Sequence, residues 1–165
     1  EVNGVGSGET SHWGEDEDGG LPPMFLGTHT PKLDDKGRVI LPAKFRDPLA
    51  DGLILTKGQE RCIVVWTKQS FDDYATRLRQ APQTNERTRS FARVFFSSAY
   101  SDQPDKQGRV TLPGSLREYA SIERDVVVVG ADTRIEIWNA EAWQAYLSSH
   151  EQAFADIDGE VVPPM

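Results

Sequence analysis

Apolar positions along this chain recur with a period of two in short runs, and long helical stripes are few. In Arg38-Val39-Ile40-Leu41 the alternation puts Val39 and Leu41 on one face of a strand, and Arg109-Val110-Thr111-Leu112 does the same with Val110 and Leu112. Arg38 and Arg109 then point the opposite way. Pro42 and Pro113 fix φ for a first helical turn, so the following AKFRDPLA and GSLREYA read as short helices, the first limited by Pro48. Hairpins come next. Leu53–Lys57 and Cys62–Trp66 flank Gly58-Gln59-Glu60, and Val126–Val129 and Arg134–Trp138 flank Gly130-Ala131-Asp132.

Behind each tryptophan the period changes to that of a helix. Phe71, Tyr74 and Leu78 follow Ser70-Phe71-Asp72-Asp73, which has the form of a capping box. Trp143, Tyr146 and Leu147 follow Asn139, a residue suited to capping. Between them, Phe91, Val94 and Phe95 fall at helical spacing within residues 86–95. The pattern predicts a mainly β protein with flanking helices, of the α+β class.

The elements occur twice. Asp34-Asp35-Lys36-Gly37-Arg38-Val39-Ile40-Leu41-Pro42 returns 71 residues later as Asp105-Lys106-Gln107-Gly108-Arg109-Val110-Thr111-Leu112-Pro113. Phe25 and Phe96 precede the two runs at equal distance. Trp66 matches Trp138, Phe71 matches Trp143, and Tyr74 matches Tyr146 at an offset of 72. In each copy an extended piece (25–33 or 96–104) leads into a turn whose glycine takes positive φ at little cost. The expected organisation is a first module at 24–80, a helical connector at 81–95 and a second module at 96–149.

Charge refines this picture. The net charge of −8 resides in the ends: residues 1–23 hold six acids and no Lys or Arg, and residues 150–165 hold four acids and again no base. Residues 24–149 therefore total +2, which leaves a polyanionic partner open to the middle of the chain. The Gly- and acid-rich 1–23 is expected to be disordered and the acidic tail at 150–165 flexible. Met24 is a candidate translation start. No apolar run approaches the roughly 20 residues of a membrane helix, and no charged-then-apolar leader opens the chain, so a cytoplasmic location is expected.

Catalytic chemistry finds little support. Cys62 is the one cysteine, and His12, His29 and His150 are scattered, so neither a disulfide nor a metal site is expected. Ser97 and Ser98 have no neighbouring His–acid pair, and no Gly-x-x-x-x-Gly-Lys loop occurs. No cofactor, small-molecule substrate or enzymatic activity is expected.

The paired turns suit nucleic acid. Arginine presents a planar fork able to bond guanine O6 and N7 together. Arg38 and Arg109 emerge at strand starts just past Gly37 and Gly108, and Asp34 or Asp105, four residues earlier, can bridge the turn and hold the guanidinium. Lys36 and Lys106 suit phosphate contacts, and Gln107 can reach a base edge or remain solvated. The competing view makes Asp34–Arg38 and Asp105–Arg109 surface ion pairs beside tight turns. The cluster Arg77, Arg79, Arg87, Arg89 and Arg93 reads as a solvated helix face or as interface salt bridges.

The opening Met24-Phe25-Leu26-Gly27, the two Asp-x-x-x-Arg turns running into Val-x-Leu-Pro, and the two tryptophan-ended hairpins resemble the MraZ family. These are bacterial transcriptional regulators related to AbrB- and MazE-type DNA-binding modules. The resemblance spans residues 24–149 and leaves out the first 23. It implies tandem swapped-hairpin AbrB-like modules forming a double-split β-barrel, and a ring-shaped homo-oligomer. It further implies binding to double-stranded DNA at G-rich direct repeats upstream of the division and cell-wall gene cluster, including the protein's own gene, and association with the nucleoid. An oligomeric antitoxin-like or scaffold module that uses the same turns to engage another protein is the alternative.

Overall fold

The computed structural model describes residues 24–159. The expected acidic extension at 1–23 and the last residues of the acidic tail lie outside that range. The first half comprises β1 (Phe25–His29), β2 (Arg38–Ile40), α1 (Ala43–Arg46), β3 (Leu53–Lys57), β4 (Ile63–Thr67) and α2 (Lys68–Gln80). A bridging helix α3 (Glu86–Ser98) leads to β5 (Tyr100–Asp102), β6 (Arg109–Thr111), α4 (Gly114–Tyr119), β7 (Val126–Asp132), β8 (Arg134–Asn139) and α5 (Ala140–Ala155).

Strands from the two halves interleave. A six-stranded antiparallel sheet runs β1-β7-β8-β4-β3-β5, so β1 of the first half pairs with β7 of the second, and β5 of the second pairs with β3 of the first. A separate two-stranded ribbon joins β2 to β6, with Val39 opposite Val110. The expected double-split barrel is not closed by hydrogen bonds among the described residues. The sheet ends at β1 and β5, and the ribbon pairs only with itself. Each ribbon strand runs within two residues into Pro42 or Pro113, which offers no N–H to extend a ladder.

The alternation read from sequence sorts the core into two layers. On one sheet face Leu53, Leu55, Ile63, Val65, Val126, Val128, Ile135 and Ile137 pack with Val39, Leu41, Val110 and Leu112 of the ribbon, and with Phe45 and Leu116 from α1 and α4. On the other face Val64, Trp66, Val127, Val129 and Trp138 meet aromatic residues of the longer helices. The matched aromatics occupy matched places: Trp66 lies 5.1 Å from Tyr74, and Trp138 lies 5.0 Å from Tyr146. Burying an apolar side chain of this size is worth about 1.5–3 kcal/mol, so this double-sided packing carries the fold.

Five local expectations need correction. The second hairpin turns over Asp132 and Thr133, because Gly130 and Ala131 are still paired with Ile135 and Arg134 in the sheet. The cap of α2 is Thr67, whose hydroxyl accepts the Ser70 N–H, because the chain is already helical at Ser70. Phe96 is helical, not extended. It ends α3 beside Phe71 and Phe95, and the extended piece of the second half begins only at Tyr100. The connecting helix accordingly runs past residue 95, to Ser98. Finally, α5, capped by Asn139 as expected, continues to Ala155, so the first residues of the acidic tail are helical.

Candidate nucleic-acid interface

Both turns are built by one carboxylate. Asp34 Oδ1 accepts the backbone N–H groups of Lys36 and Arg38, each at 2.9 Å, and its Oδ2 accepts Arg38 Nε–H at 2.7 Å. Asp105 does the same with Gln107 and Arg109, at 2.9, 2.9 and 2.7 Å. The chain reverses at Gly37 and Gly108, with φ of 76° and 77°, where a side chain would be strained. Their N–H groups donate to the Asp34 and Asp105 carbonyls. Asp34–Arg38 and Asp105–Arg109 are therefore turn-forming bonds, more than side-chain pairs on an existing surface.

These bonds set the electrostatics. The Arg38 backbone N–H, aided by its guanidinium, holds the Asp34 carboxyl below the usual carboxylate range. The Arg109 backbone N–H and then its side chain lower Asp105 likewise. Each arginine is tethered through Nε, about a quarter exposed, and no carboxylate among the described residues other than its own aspartate pairs with it. Among the described residues the other guanidinium nitrogens of Arg38 and Arg109 make no hydrogen bond, so the stem is fixed while the fork stays unoccupied.

The ribbon register brings the turns together. Arg38 pairs with Thr111, and Ile40 with Arg109, so all four side chains share the face opposite Val39 and Val110. The two arginines stand diagonally, two residue steps or roughly 7 Å apart along the strands. Leu41 N–H donates to the Gly108 carbonyl and Leu112 N–H to the Gly37 carbonyl, locking each strand end to the opposite turn. Lys36, Lys106 and Gln107 are exposed at the turn tips, and their own side chains make no hydrogen bond among the described residues.

Sequence reading missed two pairs at this site. Ile40 is half exposed between the arginines, and Thr111 is exposed beside it; the alternation that turns Arg38 outward also turns out residue 40. Arg46 and Arg117 are the second pair. Arg46 Nε donates to the Leu41 carbonyl and Arg117 Nε to the Leu112 carbonyl, each at 3.0 Å. They stand 71 residues apart, the offset of the repeat, which is the signal that marks them.

Other candidates fall away from the turns. The arginines of α2 and α3 sit over the opposite sheet face. Arg77 covers the Tyr74 ring, Arg79 lies 3.8 Å from Asp72, and Arg89 donates to the carbonyls of Gln83 and Thr84. A groove of about 440 Å³ on that side is lined by Trp66, Tyr74, Phe91 and Tyr119. His29 packs edge-on against Phe45. Burial pushes the Cys62 thiol up to about 12, which keeps it unreactive. Among the described residues no group of His, Cys, Asp or Glu is placed to hold a metal ion, and no helix is long and apolar enough to cross a membrane.

Two interleaved halves, each offering an arginine locked by an aspartate four residues earlier, define a duplicated β-ribbon protein with one composite basic face. The family described as "MraZ protein, putative antitoxin-like" matches this chain twice, over residues 24–94 and 95–162. The chain is 59% identical over 140 residues to a protein of Salinispora tropica named "Transcriptional regulator MraZ", covering 85% of this chain and 99% of that one. Proteins of the same name from Frankia alni and Micrococcus luteus are 58% and 54% identical, each over 85% of this chain and 98% of theirs. The chain belongs to the MraZ family.

Proposed function

We propose that this protein is a transcriptional regulator that binds double-stranded DNA in a sequence-specific way through the β2–β6 ribbon and its two turns. The observation that carries the reading is the paired Asp–Arg lock. A guanidinium held through Nε keeps its outer nitrogens free and aimed, the arrangement needed for a bidentate contact with guanine O6 and N7. A two-stranded ribbon fits the major groove. A spacing of roughly 7 Å between the arginines matches about two base-pair steps at 3.4 Å each. The relatives named as transcriptional regulators support the same reading.

In this reading Arg38 and Arg109 read bases, and Asp34, Asp105, Gly37 and Gly108 shape the turns. Lys36 and Lys106 supply phosphate affinity, and Gln107 lies within reach of either. The targets are G-rich direct repeats in the promoter of the division and cell-wall gene cluster, the protein's own gene included, which places the protein at the nucleoid. Repeated sites call for a repeated protein, and we assign it a ring-shaped homo-oligomer that multiplies weak contacts. Exposed apolar side chains support assembly, above all Phe154 at 81% exposure, together with Val94, Tyr100 and Ile157.

The test is titration of the full chain against its own upstream promoter duplex and a scrambled duplex of equal length, with light scattering alongside. Selective binding by an oligomer is expected. Equal binding to both duplexes, or none, overturns the reading and leaves the turns to a protein partner.

A further inference from the structure

Each turn is completed by an arginine from the other half. A side chain built on Gly108 would run into Nε, Cζ and Cδ of Arg46, and one built on Gly37 would meet Arg117 Cζ at 3.1 Å. Gly37 and Gly108 are buried although they sit in surface turns, because these side chains lie across them. Arg46 and Arg117 are themselves only partly exposed, and each spends its Nε on a strand-end carbonyl. Neither has a carboxylate within salt-bridge distance among the described residues. Arg38 with Arg117 therefore flank the first turn, and Arg109 with Arg46 flank the second. All four are anchored through Nε, and the two arginines of each pair come from different halves.

We infer that Arg46 and Arg117 are phosphate-binding residues of the DNA interface, each serving the turn of the opposite half. An aspartate beside Arg38 and Arg109 balances their charge and fixes their direction for a base edge. Arg46 and Arg117 have no such counterion, only a neutral carbonyl at Nε, so their positive charge stands unbalanced beside the turn. That is the chemistry for a phosphate oxygen, whose capture shows as counterion release. The arrangement also makes each turn depend on both halves, so neither half forms a complete reading unit by itself.

The inference rests on the proposed DNA-binding function, and the experiment separates the two. Binding of the full-length protein to the promoter duplex and to the scrambled duplex is measured across salt concentrations for wild type, Arg46→Gln, Arg117→Gln and Arg38→Ala. The Gln variants are expected to weaken binding to both duplexes alike and to reduce the slope of log K against log salt by about one per lost phosphate contact. Crossed double variants sharpen the assignment. Arg117→Gln is expected to couple with Arg38→Ala and to add independently to Arg109→Ala, and Arg46→Gln the reverse.

Wild-type slope and affinity in both Gln variants, with Arg38→Ala still losing sequence preference, would overturn this inference and leave the function standing. Loss of preference at unchanged slope would also overturn it, since it makes these arginines supports of the turn. Failure of wild type to prefer the promoter would overturn the function itself. Circular dichroism and light scattering confirm the folded oligomer. If the Gln variants unfold, Arg46→Lys and Arg117→Lys carry the test: the retained charge is expected to keep the slope, with affinity lowered several-fold by loss of the anchored fork. Wild-type affinity in the lysine variants would count against the proposal.

Discussion

The two halves of the molecule agree in their turns and differ in their helical cover. Asp34–Arg38 and Asp105–Arg109 share every hydrogen bond, the positive φ at glycine and the crossing arginine. On the far side of the sheet, Trp66 meets the rings of Tyr74 from α2 and Phe95 from α3, whereas Trp138 meets those of Trp143 and Tyr146 from α5. The hairpins differ too. β3 and β4 are joined through Glu60 and Arg61, both left-handed, whereas β7 and β8 turn over Asp132 and Thr133. The turns face the ribbon, where each half supplies the other's contacts, so a change in one must suit both. The covers meet the sheet from one side only, and although they join in one cluster, in which Arg134 lies over the Trp66 ring, they do not exchange matched contacts as the turns do. Likeness follows mutual dependence.

The largest expected effect tests whether the two turns do the same work. Arg38→Ala and Arg109→Ala should each cost about 1–3 kcal/mol per guanine contact and relax discrimination at the altered G positions. Fluorescence anisotropy with single and double variants reads this. A double variant that still folds, assembles and binds selectively at wild-type strength would remove the turns from recognition.

Glycine substitutions should split the turns. Alanine at Gly37 or Gly108 must adopt left-handed backbone, at about 1–2 kcal/mol. At Gly108 it must also push Arg46 off the Leu41 carbonyl, while Gly37 meets Arg117 less closely. Thermal unfolding should therefore show Gly108→Ala as the more destabilising. Equal losses would mean that the arginine cover relaxes freely in both turns.

Asp34→Ala and Asp105→Ala should weaken promoter binding in the same assay although each removes a negative charge, because the guanidinium loses its tether. Tighter binding would show that bulk charge governs affinity. The pH response has a definite sign. Both carboxyls are lowered in the folded protein, so their stabilisation is present above the ordinary carboxylate pKa and disappears as pH falls through the lowered values. Carboxyl-carbon NMR titration should find both below the ordinary aspartate value.

Lys36→Ala and Lys106→Ala should weaken binding to all sequences alike, with a salt slope reduced by about one for each lost contact. The smallest effect concerns the hairpins. Cys62 occupies in the first half the place Arg134 holds in the second, and its thiol, pushed up to about 12, should resist alkylation until the protein unfolds. Mass spectrometry after brief labelling of native protein checks this, and rapid native labelling would show that the first hairpin opens locally.

Local chemistry decided a good deal from sequence alone. Alternation at 38–41 and 109–112 set which residues are buried. Gly37 and Gly108 announced turns, Asn139 capped α5, and the offset of 71 revealed the duplication before any strand was placed. These properties depend on residues within a few positions of one another. The α2 cap and the helical Phe96 escaped because short polar residues at 67 and 70 compete for one capping place, and a repeat offset cannot report where packing keeps a helix wound. The two hairpins, β3–β4 and β7–β8, were legible, but which strands pair across the halves lay beyond the local pattern, since β1, β3 and β7 all read as apolar and extended. Only the tertiary structure crossed β1 to β7 and β5 to β3, left the barrel open where proline supplies no donor, and laid Arg46 over Gly108. Contacts between residues some 45–110 positions apart depend on which apolar faces find each other, and neither a local pattern nor a repeat states that choice.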